Sequence, residues 1–274
     1  MPFNPLIPRD LAARLGHEAV AITERGGYFG PNGYVTIRPM VDSAVVNTFH
    51  YPVGHSHHMG KPGPHITRFD VTRQSTLAAH KAFLAKGYRT VSLNFANAVV
   101  PGGGFLHGAR AQEEYLCRSS ALYHTLLGSP MYEHNRAQGT CLYSDAMIYS
   151  PGVPVFRDDA HRLLAEPYLA SFITSPAPLA TRLKPLEQSQ LRSVFNRRIH
   201  KVLSVAQSRG YEALVLGAWG CGAFGNDGHM VAKLFRVALL HEFRGVFKEV
   251  TFAIADVSPE LRFFAPFALE FGIG

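Results

Sequence analysis

Cysteine is scarce in this chain and poorly spaced for structural work. Cys117, Cys141 and Cys221 are odd in number and form no CxxC pair, which argues against a disulfide framework and against a cysteine-rich zinc site. Long hydrophobic runs are missing as well. No stretch reaches the roughly 18 consecutive apolar residues that a membrane-crossing helix needs, so no such helix is expected. The opening residues, MPFNPLIPRDLAARLGHEA, lack the basic-then-apolar order of a secretory signal, and a cytoplasmic location is expected. Internal repeats, low-complexity tracts and long Pro/Ser linkers are absent, so no boundary suggests itself for dividing the chain. Charged residues make up only 17% of the 274, against 47% hydrophobic, a balance that excludes a disordered polyelectrolyte. The formal charge of +7 favours an anionic partner, but the basic residues are scattered and do not identify it. Aromatic and basic residues are not interleaved, and direct binding of nucleic acid is not expected.

What is present is the pattern of a single α/β domain spanning 1–274. Leu11, Leu15, Ala19 and Ile22 follow a helical period and predict a helix over 9–24. Residues 26–70 are dense in Gly and Pro around short β-like runs, Tyr34–Arg38 and Ser43–Phe49. Together with the helix they form an N-terminal extension (1–69) packed on a core (70–274). In the core, helices are expected at Ser75–Lys86, Gln112–Leu127, Gln188–Ser208 and Met230–Phe243. Strands are expected at Thr90–Phe95, Met147–Ser150, Val153–Phe156, Tyr168–Thr174, Ala213–Trp219 and Glu249–Ala255. This alternation predicts a three-layer α/β/α fold with a mixed sheet, whose ligand site lies in loops at the strands' carboxyl ends.

Two Gly-rich loops occupy such ends. The first runs from Asn94 and Asn97 through Pro101-Gly102-Gly103-Gly104 to Gln112-Glu113-Glu114. Three consecutive glycines let backbone N–H groups approach a ligand closely. An acidic pair in a helix's first turn can simply complement the dipole. A polar pair ending a buried strand, however, has no core reason to be there. The second loop is Gly217-Ala218-Trp219-Gly220-Cys221-Gly222-Ala223-Phe224-Gly225-Asn226, a strand-to-helix turn whose amides suit a diphosphate. Gly220, Gly222 and Gly225 also satisfy G-x-G-x-x-G, with Asp256 after the next strand. The dinucleotide reading fails because Asp256 lies well beyond the usual ~20 residues, and too little chain follows it for a second half.

Residues 94–123, NFANAVVPGGGFLHGARAQEEYLCRSSALY, closely resemble the signature of bacterial-type poly(ADP-ribose) glycohydrolases, relatives of the ADP-ribose-binding macrodomain. Three glycines, a short spacer (here Phe105–Ala111) and Gln-Glu-Glu make up that signature. YSPGVPVFR (149–157) and VLGAWGCGAFGND (215–227) look like further family blocks in the same order, and Gly225 and Gly228 depart from the pattern. The resemblance implies a macrodomain-like fold and an enzyme that hydrolyses ribose–ribose bonds of poly(ADP-ribose), with ADP-ribose as product. By this resemblance Glu114 is the catalytic carboxyl, Glu113 bonds the ribose hydroxyl beside the scissile bond, and Gln112 supports the pair. Asn97 holds the distal ribose. Gly102, Gly103, Gly104, Gly220, Cys221, Gly222, Ala223 and Phe224 line the diphosphate, with Phe224 against the ribose. An aromatic near the C-terminus stacks on adenine, and Phe263, Phe264 and Phe267 are equal candidates.

Adjacent residues on a helix point about 100° apart and cannot act as facing jaws. One carboxyl, Glu114, therefore serves as acid and then as base, with no cofactor and no metal ion. His50, His55, His57, His58 and His65 form the densest polar cluster, but their Gly/Pro-rich loop offers few carboxylates to support a metal, and a solvated loop is the plainer reading. Cys117 and Cys221 are expected to pack as small buried residues. His107 and Arg110 either touch a neighbouring polymer unit or lie at the surface. Two other functions share the fold: an ADP-ribose reader without catalysis, and a hydrolase of single ADP-ribosyl groups on proteins.

Overall fold

The computed structural model describes residues 7–55 and 60–272, so His57 and His58 lie outside the described residues. Seven strands form one mixed sheet: β3 (Phe49–Tyr51), β4 (Arg68–Thr72), β5 (Thr90–Ala96), β6 (Met147–Arg157), β7 (Leu163–Pro176), β8 (Ala213–Leu216) and β9 (Glu249–Ala253). Their order is β3-β6-β7-β5-β8-β9-β4. From β7 to β4 every neighbour is parallel, while β6 pairs antiparallel with both β3 and β7. A separate hairpin joins β1 (Gly27–Gly30) to β2 (Gly33–Thr36).

Helices cover both faces, and strand alternation shows why. Leu214, Leu216, Val250 and Phe252 turn toward α7 (Pro185–Ser208) and α8 (Gly228–Leu240). Ala213, Val215 and Ala253 turn the other way, onto Ala79 and Phe83 of α3 (Thr76–Ala85). Strands buried on both faces read as unbroken apolar runs, as parallel sheets require. On the α3 side, α1 (Arg9–Arg25), α2 (Arg38–Val46), α4 (Gln112–Ser119), α5 (Leu122–Leu126) and α6 (Pro130–Gln138) pack beside β6 and β7. The last helix, α9 (Ala265–Phe271), packs on α8 and β4.

Several elements differ from the sequence-based expectation. Ser43–Phe49 is not β-like: Pro39 opens α2, whose Val41 and Ala44 are buried, and only Phe49 enters a strand. Proline's fixed φ suits a first helical turn. The helix expected over Gln112–Leu127 breaks at Ser120, which turns extended and bridges Val155 of β6, while its Oγ donates to the Leu116 carbonyl. Met147–Ser150 and Val153–Phe156 are one strand with a bulge, the register shifting between Ser150 and Val153. A bulge absorbs the Pro151-Gly152 step without ending the ladder. Residues 1–69 do more than rest on the core: they supply β3 at one sheet edge, and the 69/70 junction falls inside β4 at the other. Glu18 of α1 also pairs with the buried Arg157 at 2.7 Å.

Candidate active site

A cavity of about 430 Å³ opens at the carboxyl ends of β5, β8 and β9. Segments far apart in the chain build it: Gln74–Thr76, Phe95–Asn97, Arg110–Tyr115, the Gly-rich loop after β8, and Ala253–Ala255 with Phe263. Parallel strands place all these loops at one edge, which is why ligand sites of open α/β sheets lie there.

Gln112 joins the first turn of α4 to the sheet. Its Oε1 accepts the Phe95 N–H at 2.9 Å, and its Nε2 donates to the Leu93 carbonyl at 2.8 Å and Thr76 Oγ1 at 3.1 Å. The first turn of α4 is thereby held against β5. Glu113 is buried and fully engaged. Its Oε2 accepts the Asn97 N–H at 2.6 Å, and its Oε1 accepts Asn94 Nδ2 at 3.3 Å. Asn94 also donates to Thr174 Oγ1 at 3.1 Å. Burial pushes the Glu113 carboxyl up to about 8; the hydrogen bond from Asn97 opposes this and the neighbouring Glu114 adds to it. Desolvation outweighs the hydrogen bonds because the side chain is almost wholly buried.

Glu114 is held differently. Its Oε1 accepts the Gly104 N–H at 3.1 Å, whereas its Oε2 is buried with no partner among the described residues. The glycine run explains itself here. Gly103 has φ 58°, and a Cβ on it would collide with Glu114 Oε1 and stand 3.3 Å from Glu113 Oε2. Gly102 and Gly103 both need the left-handed region, which glycine enters without a steric cost. Gly103 packs against the carboxylates, Gly104 bonds Glu114 through its N–H, Gly102 packs against Phe105 and Cys117, and none of the three lines the cavity wall.

Asn97 reaches the wall, and its Oδ1 accepts the N–H groups of Val99 and Val100 at 2.9 and 3.0 Å, shaping the loop before the glycines. In the second loop Gly220, Gly222, Ala223 and Phe224 line the cavity, while Cys221 turns inward, its Sγ 3.6 Å from the Trp219 carbonyl. Burial pushes the Cys221 thiol up to about 12. No acceptor faces the N–H groups of Gly222, Ala223 and Phe224 among the described residues, leaving them free for an anionic ligand. Asn226 staples the loop, donating to the carbonyls of Pro178 at 2.8 Å and Gly220 at 2.9 Å. Gly225 has φ 70°, with Thr181 Cγ2 2.5 Å from where a Cβ would stand, so its departure from the family pattern has a local steric reason.

Of the three C-terminal aromatics, Phe263 lines the cavity, Phe267 is buried in the core and Phe264 packs against that core. Asp256 sets this arrangement, its Oδ2 accepting the N–H groups of Phe263 and Phe264 at 2.7 and 3.1 Å. Tyr115 also lines the cavity, and its hydroxyl donates to Asp159 and to Ser75 Oγ, the cap of α3. Tyr115, Gln74, Ser75, Thr76 and Thr174 carry no mark in the linear pattern, because only the folded sheet brings them to the site. The remaining histidines are dispersed: His50 Nδ1 lies 3.1 Å from Ser129 Oγ, His55 meets the Tyr51 ring, and no group of three metal-ligating side chains occurs among the described residues.

A buried carboxylate pair on one side and a loop of free amides on the other define a macrodomain-like α/β hydrolase site. The profile of the microbial-type PARG catalytic domain matches residues 16–158. Poly(ADP-ribose) glycohydrolase (PARG) from Thermomonospora curvata, bound to the inhibitor ADP-HPD, is similar at 44% identity over 96% of this chain and 100% of that one, with TM-score 0.88. A glutamate-to-alanine mutant of the same enzyme gives 43% identity with the same coverage and TM-score. PARG from Deinococcus radiodurans, in complex with ADP-ribose, matches at 38% identity over 85% of this chain and 97% of that one, with TM-score 0.79. No curated protein matches the chain. The chain belongs to the microbial-type poly(ADP-ribose) glycohydrolase family.

Proposed function

We propose that Glu114 is the acid–base residue with which this poly(ADP-ribose) glycohydrolase cleaves the ribose–ribose O-glycosidic bonds of poly(ADP-ribose), releasing ADP-ribose. One contrast carries the assignment. Both Glu113 oxygens are engaged by Asn94 and Asn97, whereas Glu114, which lines the same cavity, has in Oε2 a buried oxygen with no partner among the described residues. Glu114 is the carboxyl free to exchange a proton, and Glu113 is a fixed hydrogen-bonding group beside it.

Protonation of the bridging oxygen by Glu114 breaks the bond and leaves oxocarbenium character at the anomeric carbon. The Glu114 carboxylate then takes a proton from the water that bonds to that carbon, restoring the acid. The substrate's own diphosphate, held by the amides of Gly222, Ala223 and Phe224, supplies nearby negative charge for the cation. Phe263, on the cavity wall, offers a face for adenine. Both proton transfers fall to one side chain, so the scheme needs no metal ion.

The test is product chromatography after incubating wild type and Glu114→Ala with purified poly(ADP-ribose), with and without EDTA. Wild type releases ADP-ribose unaffected by EDTA. Glu114→Ala loses turnover by roughly 10²–10⁴, the range of general acid–base catalysis, yet still binds ADP-ribose. A folded mutant that loses binding as well defeats the role. A wild type that binds ADP-ribose but releases none from polymer is a reader, or acts on ADP-ribosylated proteins instead.

A further inference from the structure

We propose that Arg110 is the specificity-determining residue that holds the polymer's next diphosphate, the one beyond the scissile bond, and so favours chains over single ADP-ribose units. The inference rests on the poly(ADP-ribose) reading above. Each polymer unit brings one diphosphate, and the diphosphate of the bound terminal unit faces neutral amides. Among the described residues that line the cavity, Arg110 is the single cationic side chain. A polyanion entering the cavity is drawn to such a cation on its wall.

Arg110 is built for that task rather than left loose. It is exposed, yet its Nη1 donates to the Ile7 carbonyl at 2.9 Å, tethering the guanidinium, and its other donors have no partner among the described residues. No carboxylate pairs with it among the described residues, whereas Arg38, Arg162 and Arg236 are all paired with acids. The loop that carries it is pinned at two points. Arg118, buried on α4, donates to the Ala109 carbonyl at 2.6 Å, and Gly108 has φ 76° with no room for a Cβ beside Arg9. The same loop runs directly into the catalytic turn, four residues ahead of Glu114. A planar guanidinium with free paired donors matches phosphate geometry better than an ammonium does.

The experiment compares wild type, Arg110→Ala and Arg110→Lys in two assays: kcat and KM on purified poly(ADP-ribose) across ionic strength, and ADP-ribose affinity by calorimetry. Arg110→Ala is expected to raise the polymer KM roughly tenfold at low salt, the size of one charge-assisted contact, and to flatten its salt dependence. Its ADP-ribose affinity falls by a much smaller factor than its affinity for polymer. Arg110→Lys recovers part of the KM and most of the salt dependence. An equal loss of ADP-ribose affinity overturns the proposal, because Arg110 would then contact the terminal unit. A polymer KM unchanged in Arg110→Ala overturns it as well. Failure of the underlying activity is distinguishable, since wild type itself would then release no ADP-ribose.

Discussion

At the scale of the residue, the site separates two neighbouring glutamates by what each is bonded to. Glu113 is 3% exposed and ringed by donors, with its carboxyl raised to about 8 by burial. A carboxyl raised in the folded state contributes stability that is fully present below its unfolded value, near 4.5, and is lost as pH rises through about 8. Glu113→Gln removes that titration. Its stability relative to wild type should therefore improve as pH rises from 5 to 8, by up to ~1.4 kcal/mol per pH unit. Denaturant unfolding of both proteins at the two pH values checks this. A difference independent of pH would mean that Glu113 ionises as a solvated carboxylate does.

At the scale of the element, the triple-glycine loop and the first turn of α4 form one unit. Gln112 ties the turn to β5, and the Gly104 N–H holds Glu114. Gly103→Ala places a methyl against Glu114 Oε1 at a positive φ. Displacing a catalytic group by about 1 Å costs on the order of 10² in rate, and turnover on poly(ADP-ribose) should fall by about that factor. The strained backbone costs a further ~1–3 kcal/mol of stability. Steady-state kinetics with a thermal melt separates the two effects. A mutant that turns over at the wild-type rate would show that the loop does not position Glu114.

At the scale of the whole molecule, the cavity is a junction of segments remote in sequence, from Gln74 to Phe263. A ligand spanning it bridges the β4–α3 turn, the catalytic turn, the amide loop and the C-terminal segment, and binds only the folded chain. ADP-ribose at about 100 times its Kd should add about 2.7 kcal/mol, raising Tm by roughly 5–10 °C for a domain of this size. Glu114→Ala should show the same rise, because it loses proton transfer and not the cavity. A calorimetric scan that finds no shift at saturating ADP-ribose would count against this cavity as the binding site.

The alternation of apolar runs, the two glycine-rich loops and the Gln-Glu-Glu turn were legible in the sequence because they obey local rules: side-chain period, glycine's conformational freedom and the polarity of a strand's end. Those rules were enough for the α/β class and for most core elements, while the carboxylate pair was marked out by the resemblance of its glycine-to-Gln-Glu-Glu signature to the family. They missed α2, since Pro39 decides a helix that Val45 and Val46 make look like a strand, and they missed the break at Ser120, which exists only because β6 lies beside it. Tertiary structure alone decided which of the two glutamates keeps a free oxygen, why Gly103 must lack a Cβ, which phenylalanine faces the cavity, and that Arg110 reaches it. Each of these depends on a neighbour distant along the chain, such as Asn94 for Glu113, Asp256 for Phe263 or Ile7 for Arg110. A one-dimensional pattern carries periodicity and spacing, and only folding turns separation along the chain into contact.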